Sequence, residues 1–105
     1  MTESPKDWSF TSHVGEDLRE ADLAEADLRR AIFDNADLEG ADLSGANLRD
    51  ASLKRANLMK AALDGADLRG AKMIKARLGF SNLQGARLNG TDMRGIRGKY
   101  AVWRD

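Results

Sequence analysis

The sequence predicts an all-β solenoid, in which a chain of 105 residues coils into a four-walled tube with leucine and alanine inside. Two observations carry this prediction. A repeat of five residues runs unbroken from residue 16 to residue 95, and glycine recurs at one fixed place in it. Because five residues match neither the 3.6-residue period of a helix nor the two-residue period of a strand, the chain has to turn once in every repeat.

Each repeat has a large apolar residue at its centre, and all 13 leucines of the chain share this position. Thirteen of the 16 alanines lie two residues before a centre, and Asp or Asn directly precedes the centre in ten of the 16 repeats. Residues two apart on a short extended segment face the same way, so Ala and Leu are predicted to line the interior. The predicted core centres are Leu18, Leu23, Leu28, Phe33, Leu38, Leu43, Leu48, Leu53, Leu58, Leu63, Leu68, Met73, Leu78, Leu83, Leu88 and Met93.

Seven of the ten glycines lie two residues after a centre, the third place of a type II turn, where φ is positive. Four such turns close a square, so one coil is predicted to take about 20 residues and the repeats to form about four coils. The centres that are not leucine all fall in one column of residues 20 apart, which supports four-sided closure. One turn column is mostly not glycine and is predicted to form a looser or type I turn; it contains Asn35, Arg55, Lys75 and Gly95.

The chain is expected to divide into an N-terminal cap segment (1–15), the repeat region (16–95) and a C-terminal cap or dimerisation tail (96–105). Caps are needed because an open solenoid end exposes apolar interior and unpaired backbone. Trp8, Phe10 and Val14 are predicted to cover the first coil, with His13 as part of this cap. The residues predicted to cover the last coil or to pair with a second chain are Ile96, Tyr100, Val102 and Trp103.

The outward columns are where a function has to lie. One of them contains arginines 20 residues apart, each with Asp or Asn two residues earlier; its members are Arg29, Arg49, Arg69, Asp27, Asn47 and Asp67. This pattern fits a surface ion-pair ladder. It also fits a docking strip for a phosphate or an acidic partner. Met59 and Ile74 at outward positions, and Phe80 at a turn, indicate a modest contact face.

Charge is balanced overall but not along the chain. Seventeen basic residues match 17 acidic ones, whereas residues 16–45 have ten acidic and three basic residues and residues 46–95 have four and ten. The folded rod is therefore expected to be acidic at its N-terminal end and basic at its C-terminal end. Such a gradient favours head-to-tail or antiparallel contacts, or a partner with a patch of one sign.

Several function classes are disfavoured. The chain has no Cys and one His, which excludes thiolate and His-clustered metal sites, and isolated carboxylates provide too few ligands for calcium. No catalytic constellation or phosphate loop is present, so we expect no enzyme activity, no cofactor and no metal. Neither a signal peptide nor a membrane helix is recognisable, so the expected compartment is the cytoplasm.

The repeats resemble the pentapeptide-repeat family. The resemblance rests on Ala-Asp-Leu-Glu-Gly at residues 36–40, Ala-Asp-Leu-Ser-Gly at 41–45 and Ala-Asp-Leu-Arg-Gly at 66–70, and it covers residues 16–95. It implies a right-handed quadrilateral β-helix, and the handedness comes from the resemblance alone. Many members dimerise through their C-terminal end, so the resemblance also implies a homodimer formed through that end.

The expected function is a non-enzymatic protein-interaction or scaffold module that presents side-chain ladders to a protein partner of unknown identity. The resemblance adds an alternative, because some family members mimic duplex DNA and bind DNA gyrase, protecting it from quinolones or inhibiting it. The basic second half and the short chain oppose that alternative. Direct nucleic-acid binding through the basic half is disfavoured, because no aromatic residues interleave with the basic ones.

Overall fold

The computed structural model describes residues 6–103 of the chain. Within that range it contains no helix and no extended strand. The β-structure consists of isolated parallel bridges, one in each five-residue repeat, from Asp7–Asp27 to Asn82–Val102. Strands do not extend beyond single bridge residues because a turn follows every three extended residues.

Every repeat closes with the same turn. The carbonyl of each centre accepts a hydrogen bond from the amide three residues on, as in Leu58 to Ala61 at 3.1 Å. The residue two after the centre has positive φ in every repeat, including the column predicted to form a type I turn. That prediction was wrong: φ is +61° at Asn35, +59° at Arg55 and +61° at Lys75. The four-sided closure of each coil and its hydrogen bonds to the adjacent coils impose the left-handed conformation at this turn position, whichever residue occupies it.

Arg55→Gly is expected to raise the free energy of unfolding by about 0.5–1 kcal/mol, because glycine removes the strain of a left-handed side-chain residue at some cost in chain entropy. The matched variant Lys54→Gly, one residue earlier and outside the positive-φ positions, should lower stability instead. Urea denaturation of the two variants checks both signs. Equal effects would contradict the turn assignment.

The bridges set the coil register. Each of them joins residues 20 apart, and backbone hydrogen bonds link neighbouring coils in both directions. Leu43 N–H donates to the carbonyl of Ala62 at 2.7 Å, and Ala62 N–H donates to the carbonyl of Ala41 at 2.9 Å. Each coil of 20 residues contains four turns, so the tube has four walls, as the repeat predicted.

We number the walls by their columns of bridge residues. Wall 1 contains Asp7, Asp27, Asn47, Asp67 and Arg87; wall 2 contains Ser12, Ile32, Ser52, Lys72 and Asp92; wall 3 contains Asp17, Asp37, Asn57, Arg77 and Arg97; wall 4 contains Asp22, Asp42, Ala62, Asn82 and Val102. On every wall the centre and the residue two before it point inward, while the bridge residue and the two turn residues point outward. The walls therefore share one interior and differ in their exteriors.

The interior is a continuous core of leucine and alanine. Thirteen of the 16 predicted centres, from Leu23 to Leu83, are at most 1% exposed. The three others, Leu18, Leu88 and Met93, are partly buried and pack against this core from its two ends. Ser81 replaces an interior alanine and is fully buried; its hydroxyl donates to the carbonyl of Leu78 at 2.7 Å.

The coil register continues on both sides of residues 16–95. Bridges place Asp7 and Ser12 beneath Asp27 and Ile32, and Arg97 and Val102 above Arg77 and Asn82. Within the described range, the segments expected to act as caps thus have the same turns and the same register as the repeats. The signal for this in the sequence is weak, because these segments keep the five-residue phase with no leucine and only one of its alanines, Ala101.

Candidate interaction surface

The bridge-position Asp and Asn side chains stabilise the turns. Asp27 Oδ1, for example, accepts a hydrogen bond from the backbone amide of Arg29 at 3.2 Å. This contact, from the side chain before the centre to the amide after it, is the local pairing expected of Asx residues beside a turn. The same contact is made by Asp7, Asp17, Asp22, Asp37, Asp42, Asn47, Asn57, Asp67, Asn82 and Asp92. The Asp/Asn preference of the repeat thus has a structural role on every wall.

The arginine column of wall 1 is an ion-pair ladder. Arg29 donates from Nε and Nη2 to the two carboxylate oxygens of Asp27 at 2.9 and 2.7 Å. Arg69 donates in the same way to Asp67, at 2.8 and 2.6 Å. Arg49 donates to the amide oxygen of Asn47 at 3.2 Å and lies 3.8 Å from a carboxylate oxygen of Asp67. The paired guanidiniums already have fixed acceptors, which favours the ladder over a phosphate-docking strip.

These contacts shift the pKa values of the paired groups. The hydrogen bonds from Arg29 lower the pKa of Asp27 to about 2 and outweigh the opposing effect of burial. Arg69 lowers the pKa of Asp67 in the same way. In return, hydrogen bonding to Asp27 and Asp67 raises the pKa of Arg29 and Arg69 above the ordinary value.

The ion pair of Asp27 and Arg29 predicts how the free energy of unfolding depends on pH. Because the folded pKa of about 2 lies below the ordinary Asp pKa of 3.8, the contribution of this carboxylate to stability is complete above about pH 4 and is lost as the pH falls through 2. Asp27→Asn should therefore show a shallower decline of unfolding free energy between about pH 4 and pH 2. Arg29→Gln keeps the carboxyl but removes its partner, and should remove the same part of the slope. An unchanged slope in both variants would contradict the pairing.

Two further pairs, neither of them predicted from the sequence, repeat the motif on other walls. Arg19 Nη2 lies 3.0 Å from Asp17 on wall 3, and Arg94 Nη2 lies 2.7 Å from Asp92 on wall 2. The spacing alone would have found them, since Asp, centre and Arg follow one another directly as on wall 1. The pairing is therefore a property of this tripeptide and not of one wall.

Met59 and Phe80, predicted to form a contact face, lie in neighbouring coils. Met59 is half-buried, and its Cε lies 3.5 Å from where a Cβ of Gly79 would be. Phe80 is 56% exposed and stacks on Tyr100 in the next coil, with ring centroids 4.9 Å apart. Lys99 Nζ lies 5.1 Å from the centre of the Tyr100 ring. Two exposed aromatic rings thus form one ladder at the corner between walls 3 and 4.

The C-terminal end is only partly covered by its own chain. Ile96 is partly buried and packs against the core. The ring of Trp103 lies over Gly98, with Cζ2 3.1 Å from the position that a Cβ would take there. Even so, Trp103 remains 41% exposed and Val102 40% exposed. The end of the tube therefore leaves apolar surface open to solvent.

At the N-terminal end, an aromatic stack continues the core. The Trp8 ring lies 4.4 Å from the His13 ring, which in turn lies 5.2 Å from the buried Phe33 ring. Phe10 and Val14 do not cover this end as predicted, because their side chains are 68% and 57% exposed. Both follow a centre in the five-residue phase, and that phase directs them outward.

Residues 6–103 contain no group of His, Asp or Glu side chains that could hold a metal ion. In the same range, no helix is long and apolar enough to cross a membrane. Every buried side-chain nitrogen or oxygen of the described residues has a hydrogen-bond partner.

Comparison with known proteins identifies the family. The family model "Pentapeptide repeats (8 copies)" matches residues 17–50, 37–73 and 61–97. The chain belongs to the pentapeptide-repeat family. Its β-helix is accordingly right-handed.

Three solved structures illustrate the likeness. The pentapeptide repeat protein from the Arabidopsis thaliana thylakoid lumen is 34% identical over 87% of this chain and 60% of that one, with a TM-score of 0.42. HetL of Nostoc sp. PCC 7120, involved in heterocyst differentiation regulation, is 28% identical over 94% and 64%, with a TM-score of 0.48. QnrB1, a plasmid-mediated fluoroquinolone resistance protein, is 20% identical over 93% and 60%, with a TM-score of 0.39. No curated protein matches the sequence.

The chain spans about three fifths of the length of these structures, at 60% and 64% for the first two.

Proposed function

We propose that this protein is a non-enzymatic interaction module that binds a protein partner through the apolar surface at its C-terminal end. We call this the C-terminal apolar surface; it consists of Phe80, Tyr100, Val102 and Trp103. Membership of the pentapeptide-repeat family supports the module class. The observation that carries the proposal is the exposed aromatic ladder of Phe80 and Tyr100 beside the half-exposed Trp103.

Aromatic residues are the side chains that most often dominate protein interfaces, because they bury a large area at a small entropy cost. On this molecule they are held by a rigid support, since each coil is bonded to the next through its backbone. The surrounding charges include Lys99 beside Tyr100 and Arg97 on wall 3. A partner with an apolar centre and an acidic rim fits this surface.

A double substitution tests the proposal. Phe80→Ser/Tyr100→Ser should abolish capture of a specific partner from extract of the source cells, whereas Phe10→Ser, an exposed aromatic at the opposite end, should leave it intact. Circular dichroism of each variant serves as the control for folding. If both variants capture the same proteins as the wild type, this surface is not the binding site.

A second chain is one candidate partner for the same surface. Light scattering of Trp103→Glu beside the wild type tests it, because a buried charge in an end-to-end contact opposes association strongly. We expect a dimeric wild type to become monomeric. A dimer that survives this substitution does not use the C-terminal end.

Gyrase binding by DNA mimicry is the alternative function. The observation that favours it is the acidic start of walls 3 and 4, with Asp17, Asp37, Asp22 and Asp42. The same two walls carry no acidic bridge residue in their later coils, and wall 3 turns basic there. A DNA supercoiling assay tests this function. If gyrase activity is unchanged at micromolar concentrations of this protein, gyrase binding by DNA mimicry is excluded.

A further inference from the structure

The charges of wall 3 change sign halfway along the coil stack. Its bridge column runs through Asp17, Asp37, Asn57, Arg77 and Arg97. Asn57 is the midpoint of five evenly spaced rows. The two carboxylates on one side therefore match two guanidiniums at the same distances on the other side.

We infer that wall 3 is the contact surface between two copies of this chain, paired antiparallel about a two-fold axis through the row of Asn57 and Met59. In this pair, Asp17 of one copy faces Arg97 of the other, and Asp37 faces Arg77. The two-fold axis repeats both contacts, as in any isologous interface. A parallel pair would set carboxylate against carboxylate, so the charge order selects the antiparallel one.

The arginines in the basic half of the wall have no carboxylate partner among the described residues. These arginines, Arg77 and Arg97, are exposed. They share a shallow groove with two further cations, Arg55 and Lys75. Asp17 and Asp37 of a second copy would supply carboxylates to Arg97 and Arg77 and so lower the repulsion within this group of cations.

The acidic half of the wall is held in position. Asn57 Nδ2 donates to Asp37 Oδ1 at 3.2 Å and to Glu39 Oε1 at 3.3 Å. In the antiparallel pair Glu39 faces Gly79 of the other copy, where no side chain opposes it. The centre of the interface places Met59 against its own counterpart, which supplies apolar contact on the axis.

Like charges meet across the axis at two positions: Arg19 faces Lys99, and the turn residue Lys60 of the middle row faces its own counterpart. Arg19 is already bound within its own copy, 3.0 Å from Asp17 and 3.8 Å from Asp37. The acidic first row also includes Glu20 at its turn. The first row therefore has a net negative charge where it faces the basic last row.

The other walls lack this self-complementarity. The same operation on wall 1 sets Asp27 against Asp67, and wall 4 has no basic residue in its bridge column. On wall 2 it sets Ile32 against Lys72. Wall 3 alone pairs opposite charges in both outer and inner rows.

The contact is small and polar. Five rows at a spacing of about 4.8 Å span only about 19 Å, so the buried area falls below that of a standard stable interface. We therefore expect a weak dimer. Added salt should dissociate it, because salt screens the attraction between exposed charges, with a Debye length of about 10 Å at 0.1 M. This self-pairing rests on wall 3 and does not need the apolar residues of the C-terminal apolar surface, but it shares Arg97 and Lys99 with the charged surroundings of that surface.

Sedimentation equilibrium at low salt over a range of protein concentrations tests the inference. Arg77→Glu/Arg97→Glu makes the column acidic throughout, and Asp17→Arg/Asp37→Arg makes it basic throughout. Arginine already occupies the bridge position at Arg87, so this position accepts it. Each variant alone should show a dissociation constant raised about tenfold or more, since attractive pairs become repulsive. An equimolar mixture of the two should form the dimer again, as a heterodimer.

Arg87→Glu is the matched control, because it makes the same change at the same repeat position on wall 1. It should leave the dissociation constant unchanged. The inference is overturned if the wild type shows no association at low salt, if the mixture fails to pair, or if Arg87→Glu acts like the wall 3 variants. Association lost only in Trp103→Glu would also overturn it, while supporting the C-terminal apolar surface.

Discussion

Leu58→Ala is expected to lower the free energy of unfolding by about 3–5 kcal/mol. Leu58 is 0% exposed and occupies the middle coil, with Leu38 and Leu78 in the coils on either side. The loss combines the transfer free energy of the removed atoms with the cavity that backbone-bonded coils cannot collapse to fill.

The control for this prediction is Leu88→Ala, the same change at a partly buried centre near the C-terminal end. It should cost less, because water already reaches that side chain. Urea denaturation followed by circular dichroism measures both. Equal losses at the two positions would show that the middle of the tube is no better packed than its end.

Ala66→Leu is expected to destabilise the protein by about 1–3 kcal/mol. Ala66 is 0% exposed at the inward place two residues before a centre, with Ala46 directly below it in the stack. A larger side chain there has to displace packed neighbours, since the backbone cannot shift without breaking hydrogen bonds to both adjacent coils.

Ala62→Leu makes the same change on the outside of wall 4, at a half-exposed bridge position. Its effect should stay within about 0.5 kcal/mol. Thermal unfolding of the two variants compares them directly. A larger loss for Ala62→Leu than for Ala66→Leu would reverse the assignment of inside and outside.

Periodicity predicted the interior well for a physical reason. One phase assigns every side chain a direction, and burial then requires Leu and Ala at fixed places, as Leu58 and Ala66 show. The same phase would have directed Phe10 and Val14 outward. The cap prediction had them cover the first coil because it relied on their apolar character instead of their position.

Turn conformation could not be predicted from residue type alone. Glycine marks several turns, but Arg55 and Lys75 adopt the same positive φ without it. Local preference opposes that conformation, and it persists because four-sided closure fixes the corner. Tertiary structure therefore decides where local propensity and coil geometry disagree.

The exterior was predictable where a short-range rule or the distribution of charge along the chain applied. Asp27 and Arg29 stand two residues apart on one face, and the structure joins them in an ion pair. The stack of Phe80 on Tyr100 depends on the 20-residue register, as does the charge reversal of wall 3. The register and the overall charge gradient were predicted from the sequence, whereas the particular side chains that meet on one wall follow only from the structure.

Through-hydrogen-bond scalar couplings in isotope-labelled protein test the coil register most directly. Couplings are expected from the amide of Leu43 to the carbonyl of Ala62 and from the amide of Ala62 to the carbonyl of Ala41. Couplings from these amides to carbonyls four residues earlier, or to carbonyls in any other register, would contradict the coil register.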